Sequence, residues 1–418
     1  MDLPLETPED ALQTDWPATR AEGLRRLEAF APRMGGHYKS QRNRDSGPGR
    51  RDNVSLLSPY VARRMVTEEE VAAAALARFK LGTCEKFVQE VVWRTYFKGW
   101  LEIRPQVWTE YRDGLREDRL QLEANGGLAR AVAKAEAGET GIEAFDTWAR
   151  ELVTTGYLHN HARMWFASIW VFTLDLPWRL GADFFLRHLL DGDAASNTLG
   201  WRWVAGLHTQ GKNYAATASN IRKFTDGRAD GPLRADGLAR NPEPLDEGPL
   251  PARRDLRSVE VPRFESPTAL LLTTEDLHPE SAGLHGQPTT IATLRLTERR
   301  SDAEVSPALI AFDRMALADA AARAGAPEAP CFDGDTSPEE IVDWARMAGC
   351  ARIATGFLHR GWVDDWFAAA RPALEDAGIA LEEWRRPWDD GFHPYATAGF
   401  FKVKKEIPAV LRALGHPC

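Results

Sequence analysis

The stretch "LLDGDAASNTLGWRW", residues 189–203, decides how the chain is read. Two aspartates, Asp191 and Asp193, an amide, Asn197, and two indoles, Trp201 and Trp203, follow "ADFFLRHLLDG", whose apolar residues recur at helical spacing. Carboxylates at a helix end commonly cap neighbouring backbone, and capping alone accounts for the aspartates. The indoles ask for more, because the chain holds 15 tryptophans in 418 residues. Core packing is the usual fate of such aromatic side chains.

Outward from this stretch, the texture of the chain changes once. Up to about residue 226 apolar residues keep a helical period, as in "EEEVAAAALARF", "EKFVQEVVWRTYFKGWLE" and "GIEAFDTWARELVTTG". Residues 227–262, "GRADGPLRADGLARNPEPLDEGPLPARRD" and its flanks, are rich in Gly, Pro and charge without apolar period and read as a linker. From residue 263 to 418, strand-like runs ("TALLLTT", "TTIATLRL", "ARIATGF", "IALEEW") alternate with helical ones, two of which are "SPEEIVDWARMAG", capped by Ser337, and "WVDDWFAAARPALEDAG". The pattern predicts an all-α domain over 1–226 followed by a smaller α/β domain with a mainly parallel sheet. No glycine-rich nucleotide fingerprint follows any of these strands, and no internal repeat is present.

Composition narrows the class. With 44% hydrophobic and 27% charged residues the chain reads as a globular protein, and a net charge of −9 speaks against broad adhesion to nucleic acid while leaving room for a local basic patch. The longest apolar run is broken by Asp175 and Pro177, no secretory signal opens the sequence, and a cytoplasmic location is expected. Cys84, Cys331, Cys350 and Cys418 are dispersed, so neither a disulfide framework nor a thiolate metal site is predicted.

The longer string "YLHNHARM…LPWRLGADFFLRHLLDGDAASNTLGWRW" resembles the flavin-binding domain of the photolyase/cryptochrome family, with its Trp-Arg-x-Gly, Asp-Gly-Asp, Asn and Trp-x-Trp segments in order. Three further blocks are similar in the family's order: "NVSLLSPYVARRMVTEEEV", "KFVQEVVWRTYFKGW" and "GETGIEAFD". Together they cover roughly residues 20–225. The resemblance implies bound FAD. Ser55, Leu57 and Ser58 would hold its phosphates, where an anion needs close donors, and Tyr38 would lie near the same end. Arg94, Asn160 and Arg163 match positions around the flavin. Arg163 would pair with Asp191, Asp193 would accept hydrogen bonds from the flavin or its ribityl chain, and Asn197 would face flavin N5. Trp201 and Trp178 match the inner two members of the family's electron-transfer chain. Residues 121–137 hold no tryptophan for the third, so an exit through Trp148, Trp165, Trp170 or Trp203 is implied.

Glu90 and Trp93 lie three residues apart on one helix face, so a flipped-out pyrimidine dimer could stack on Trp93 and bond Glu90. A Glu90–Arg94 ion pair is the purely structural alternative. The family's enzymes for the (6-4) lesion carry histidines at the positions of Asn160 and Met164, which this chain lacks; His159 and His161 are out of phase. The resemblance therefore implies a light-driven enzyme splitting cyclobutane pyrimidine dimers in UV-damaged DNA, with a cryptochrome-type blue-light receptor as the alternative. Cations of "KSQRNRDSGPGRR", Lys39–Arg51, are the expected phosphate contacts, and a monomer is expected. The family's antenna domain normally precedes the flavin domain. Residues 265–418 loosely resemble it, which implies a circular permutation and a possible second, antenna chromophore; an unrelated α/β appendage is the alternative. The "NTLG" and "GKNYAATASNIRKF" segments are similar to the iron-sulfur branch, but the cysteines do not support a cluster.

Overall fold

A computed structural model describes residues 16–417. Several helices in the first half start at a side-chain cap. In chain order the helices of this half are α1 (Arg20–Phe30), α2 (Gly36–Gln41), α3 (Ser58–Ala62), α4 (Glu68–Leu76), α5 (Leu81–Glu102), α6 (Gln106–Ala124), α7 (Gly126–Ala137), α8 (Glu143–Thr155), α9 (Asn160–Ser168), α10 (Trp178–His188), α11 (Ala194–Ala205) and α12 (Ala218–Phe224). Thr19, Asn125, Asp193 and Thr217 each accept a hydrogen bond from a first-turn amide, and Thr67 closes a capping box with Glu70. The "GETG" turn ahead of α8 is fixed by Asp146, whose carboxylate accepts from the amides of Thr140 and Gly141, each at 2.8 Å. α9 runs on through a π-helical turn, Ile169–Thr173.

Between Phe224 and Thr268 the chain forms neither helix nor strand beyond one isolated bridge, Arg263 to His285. Five parallel strands follow, β1 (Thr268–Thr273), β2 (Thr290–Leu294), β3 (Cys331–Phe332), β4 (Arg352–Gly356) and β5 (Ala380–Trp384), in the order β3-β2-β1-β4-β5. Every residue of β1, "TALLLT", is buried, as an unbroken apolar run requires of a strand covered on both faces. Helices α13 (Pro307–Arg323), α14 (Pro338–Met347) and α15 (Trp362–Asp376) make the crossovers, and α16 (Pro387–Phe392) and α17 (Phe401–Ala413) close the chain. The expected all-α part followed by a parallel α/β part is the observed architecture. Two-residue β3 carries too little pattern to be read from the sequence. No helix among the described residues is long and apolar enough to cross a membrane.

The two parts share one hydrophobic cluster. Buried ion pairs cross the seam as well. Arg63, directly after α3, pairs with Asp313 of α13, and its Nη1 donates to the Leu190 carbonyl at 2.6 Å. Arg300 reaches the same carboxylate at 3.4 Å and the Leu189 carbonyl at 3.2 Å. Asp313→Ala leaves two buried guanidiniums without their shared partner. Removing one member of a buried pair costs about 3–5 kcal/mol, so denaturant unfolding is expected to show a loss of that size; a loss below about 1 kcal/mol contradicts this role for the pair.

Candidate functional site

The acidic turn lies where α10 hands over to α11. Asp193 has extended backbone and caps α11, accepting from the Ser196 amide at 2.8 Å, while its other oxygen pairs with Arg94 of α5. Asp191 takes Arg163 Nη2 of α9 at 2.8 Å, and Arg163 Nε donates to the Leu158 carbonyl. Burial alone would raise the Asp191 carboxyl. The Arg163 guanidinium and the Ser58 hydroxyl outweigh it and hold the pKa below the ordinary range. The second Asp191 oxygen is buried without a protein partner, an acceptor left over in a place where acceptors are seldom wasted.

Ser58, Arg94, Arg163, Asp191 and Asp193 thus converge from three helices and a turn. Leu57, buried, and Ser58 start α3, preceded by half-buried Ser55 and by Leu56 at φ 54°, a left-handed conformation unusual for leucine. Tyr38 of α2 packs edge-on against Phe87 at 5.0 Å and Phe30 at 6.1 Å, and burial raises its phenol pKa. Glu90 does not pair with Arg94; it pairs with Arg42, which stands one helical turn past Tyr38. Burial raises the Glu90 pKa against that pair, although 28% of its side chain stays accessible, and 22% of Arg163 does. The cluster thus offers partly accessible guanidiniums for phosphate or flavin oxygens and an unpaired carboxylate oxygen for an N–H or O–H, a donor and acceptor set that fits FAD.

Other expected residues fall out differently. Asn160 opens α9 and is exposed, and Met164 one turn on is half-buried. The Asn197 amide nitrogen donates to the Ala182 carbonyl at 2.8 Å, which leaves its carbonyl oxygen as the free end. Trp201 is buried among Phe166, Trp170 and Phe185, its indole N–H unpartnered. Trp178 donates to Glu247 at 2.9 Å and lies 5.7 Å from Tyr111, which in turn lies 5.3 Å from Trp108. Of the four tryptophans considered for the exit, Trp148 and Trp165 stack on each other, Trp203 stacks on Tyr214, and Trp170 meets Trp201. The basic segment needs a correction. Arg51 is buried in a pair with Glu151 over the Tyr157 ring, Arg42 is taken by Glu90 and Arg44 by Asp226; Lys39 and Arg50 stay exposed.

Two partners escape sequence reading. Phe400, at the start of α17, stacks on Trp93 with ring centroids 3.9 Å apart and planes 12° from parallel. Arg63 and Arg300 hold the carbonyls of the acidic turn. No local signal marks either, since both contacts join segments more than a hundred residues apart.

Residues 87–230 match the family model described as the FAD binding domain of DNA photolyase. Over these residues the chain is similar to the photolyase/cryptochrome family. Among its relatives are proteins named deoxyribodipyrimidine photo-lyase. That of Streptomyces griseus is 35% identical over 43% of this chain and 40% of its own length. One from Thermus thermophilus and that of Escherichia coli are 34% and 28% identical, each over 51% of this chain and 48% and 44% of theirs. The chain thus spans less than half the length of these curated photolyase relatives. Similar solved structures include a bacterial class III photolyase from Agrobacterium tumefaciens, 26% identical over 54% of this chain and 47% of that one, and a Synechocystis cryptochrome, 24% identical over 49% and 43%, both at a TM-score of 0.41.

Gly181 in α10 lets Trp201 lie against the helix backbone: a Cβ there would meet Trp201 Cη2 at 2.3 Å and Trp170 at 2.9 Å. Overpacking of that kind costs about 1–3 kcal/mol. Gly181→Ala is therefore expected to lower thermal stability and shift tryptophan fluorescence, and an unperturbed spectrum contradicts the close approach.

Proposed function

We propose that this FAD-binding chain is a light-driven repair enzyme that splits cyclobutane pyrimidine dimers in UV-damaged DNA. Reduced FAD, when bound, supplies the electron that opens the cyclobutane ring. The observation carrying the reading is the Glu90–Trp93 face of α5. Burial raises the Glu90 pKa and so favours a protonated carboxyl able to donate to a base carbonyl, while Trp93 one turn along offers a stacking surface. The printed names of the curated relatives point the same way.

In this reading Tyr38, Ser55, Leu57 and Ser58 hold the phosphate end of the dinucleotide. Arg163 and Asp191 orient the ring system through one cation and one acceptor, and Arg94 pairs with Asp193 where it caps α11. The Asn197 carbonyl oxygen is the group left to meet an N–H. Asn160 and Met164 border the lesion side. Trp201 and Trp178 carry charge outward, and Tyr111 and Trp108, rather than a tryptophan in 121–137, extend the aromatic row. Lys39 and Arg50 remain to meet DNA phosphates, joined by exposed Lys402 and Lys405 of α17.

One observation favours the second reading, a blue-light receptor without repair activity: Phe400 already covers Trp93. Illumination of the reduced protein with UV-irradiated oligothymidine decides between the two. Repair predicts loss of dimers, slowed roughly two- to tenfold in Glu90→Gln with FAD retained, as loss of a neutral hydrogen bond worth about 0.5–1.5 kcal/mol implies. An unchanged rate removes Glu90 from the mechanism, and flavin absorption with no dimer loss supports the receptor. A stacked aromatic pair is worth about 0.5–1.5 kcal/mol, so Phe400→Ala is expected to tighten dimer binding roughly two- to tenfold; weaker binding contradicts a covering role for Phe400.

A further inference from the structure

Near the C-terminal end of α5, about two turns past Glu90, three buried side chains of the α/β part turn toward one another. Asp389 of α16 and His393 one turn later share a helical face, and His359 arrives from the loop after β4. Their ligating atoms lie within 4.8 Å of one another: His359 Nε2 is 3.9 Å from one Asp389 oxygen and His393 Nε2 is 3.7 Å from the other. Neither distance is a hydrogen bond. His359 Nε2 and both ring nitrogens of His393 have no partner although the rings are 3% and 0% exposed. Buried imidazole nitrogens left this way are rare, because each forfeits a hydrogen bond.

The surroundings finish the pattern. Glu275, after β1, lies 3.0 Å from His359 Nδ1, closer than Lys98 Nζ at 3.5 Å, and a proton on Nδ1 shared with that carboxylate leaves the Nε2 lone pair pointing inward. Arg64 donates to both Asp389 oxygens at 2.7 Å, leaving their remaining lone pairs free. Four carboxylates, Asp389, Glu275, Asp276 and Glu68, face three cations, Arg64, Lys98 and Arg386. That balance leaves room for positive charge.

Topology selects the same place. β1 runs to β2 on one side while β4 returns on the other, so the crevice at the carboxyl ends of β1 and β4 is the switch point of the sheet, where open parallel sheets hold ligands. Glu275 and His359 follow those two strands. Helix α5 roofs the crevice, and Gly99 permits it: a Cβ there would meet His393 at 2.7 Å. A cavity of about 10 Å³, lined by Lys98, Glu275 and His359 toward the cluster and by Asp193 toward the acidic turn, has room for one water.

We propose that His359, Asp389 and His393 bind one first-row divalent cation of the zinc type, with water completing the shell, at the seam between the two parts of the chain. Two imidazoles and a carboxylate suit such an ion rather than magnesium or calcium. Tetrahedral ligands at about 2.0–2.1 Å from zinc sit about 3.4 Å apart, so the 3.7 and 3.9 Å separations close by a few tenths of an ångström, and every pair of ligating atoms, all within 4.8 Å, by at most about 1.4 Å. The site is independent of flavin and of the proposed repair reaction.

The test uses the FAD-loaded protein, stripped with a chelator and titrated with Co²⁺ while visible absorption is followed. One equivalent of a ligand-field spectrum, displaced by Zn²⁺, is expected. His393→Gln should weaken Co²⁺ at least tenfold, and Glu275→Gln, which touches no metal, by about 10–100-fold, with flavin absorbance unchanged in both. Cys331→Ser should bind as the wild type does. Uptake far below one equivalent by the wild-type protein overturns the proposal, as does undiminished binding in His393→Gln. Should His393→Gln fail to fold, Glu275→Gln and the wild-type titration still decide.

Discussion

Two consecutive arginines hold the molecule's working parts in place. α3 stops at Ala62, and Arg64 then takes φ 53°, a left-handed backbone that a bulky side chain adopts at about 1–3 kcal/mol of strain. The bend sends the two guanidiniums apart. Arg63 reaches the Leu190 carbonyl and Asp313, so the acidic turn is clamped at its backbone while its carboxylates stay free for Arg94 and Arg163. Arg64 reaches Asp389 and Glu68 and supports the histidine cluster. The strain persists because these buried charges have no alternative partner or solvent to turn to.

The clamp also sets the electrostatics of the turn. Two carboxylates within three residues, both nearly buried, would repel each other and drive one toward protonation. Arg94, Arg163, Arg63 and Arg300 surround them instead. Arg300 is itself so desolvated that its pKa is pushed down to about 10, first by burial and against the pull of Asp313. The α/β part therefore contributes charge as well as packing to an acidic turn whose other partners belong to the helical part.

Local signals are legible in the sequence and nonlocal partners are not. Helices with a strong apolar period and a capping residue, such as those begun by Thr67 and Ser337, lie where the spacing predicts them, as do strands as apolar as "TALLLT". The Arg163–Asp191 pair is legible through family resemblance. Glu90 shows the limit: helical spacing offers it Arg94, yet the fold hands Arg94 to Asp193 and brings Arg42 from another helix, because a buried acid capping a helix outcompetes an i, i+4 contact that would stay half in solvent. Arg51 reads as a surface cation for the same reason in reverse, since nothing in "GPGRRD" reveals that Glu151 and the Tyr157 ring wait for it. The histidine cluster joins residues 359, 389 and 393 through sheet topology, and only the Asp-x-x-x-His spacing of its second half is visible in one dimension.

The stack of Phe400 on Trp93 ties the two halves of the chain to one another energetically. A planar ring 3.9 Å from an indole at 12° occupies the position a nucleobase would take on that face. A base that stacks on Trp93 has to displace Phe400, which opens α17, and α17 packs on α5 and α16 beside the cluster around Asp389. Any contact that steadies α16 and α17 on the helical part therefore opposes a base on Trp93, and a bound base loosens α17 by the same free energy, because coupling between two sites is reciprocal. If Trp93 is the surface that stacks a base, its exposure is set from the α/β part, through the segment that α17 presents to α5.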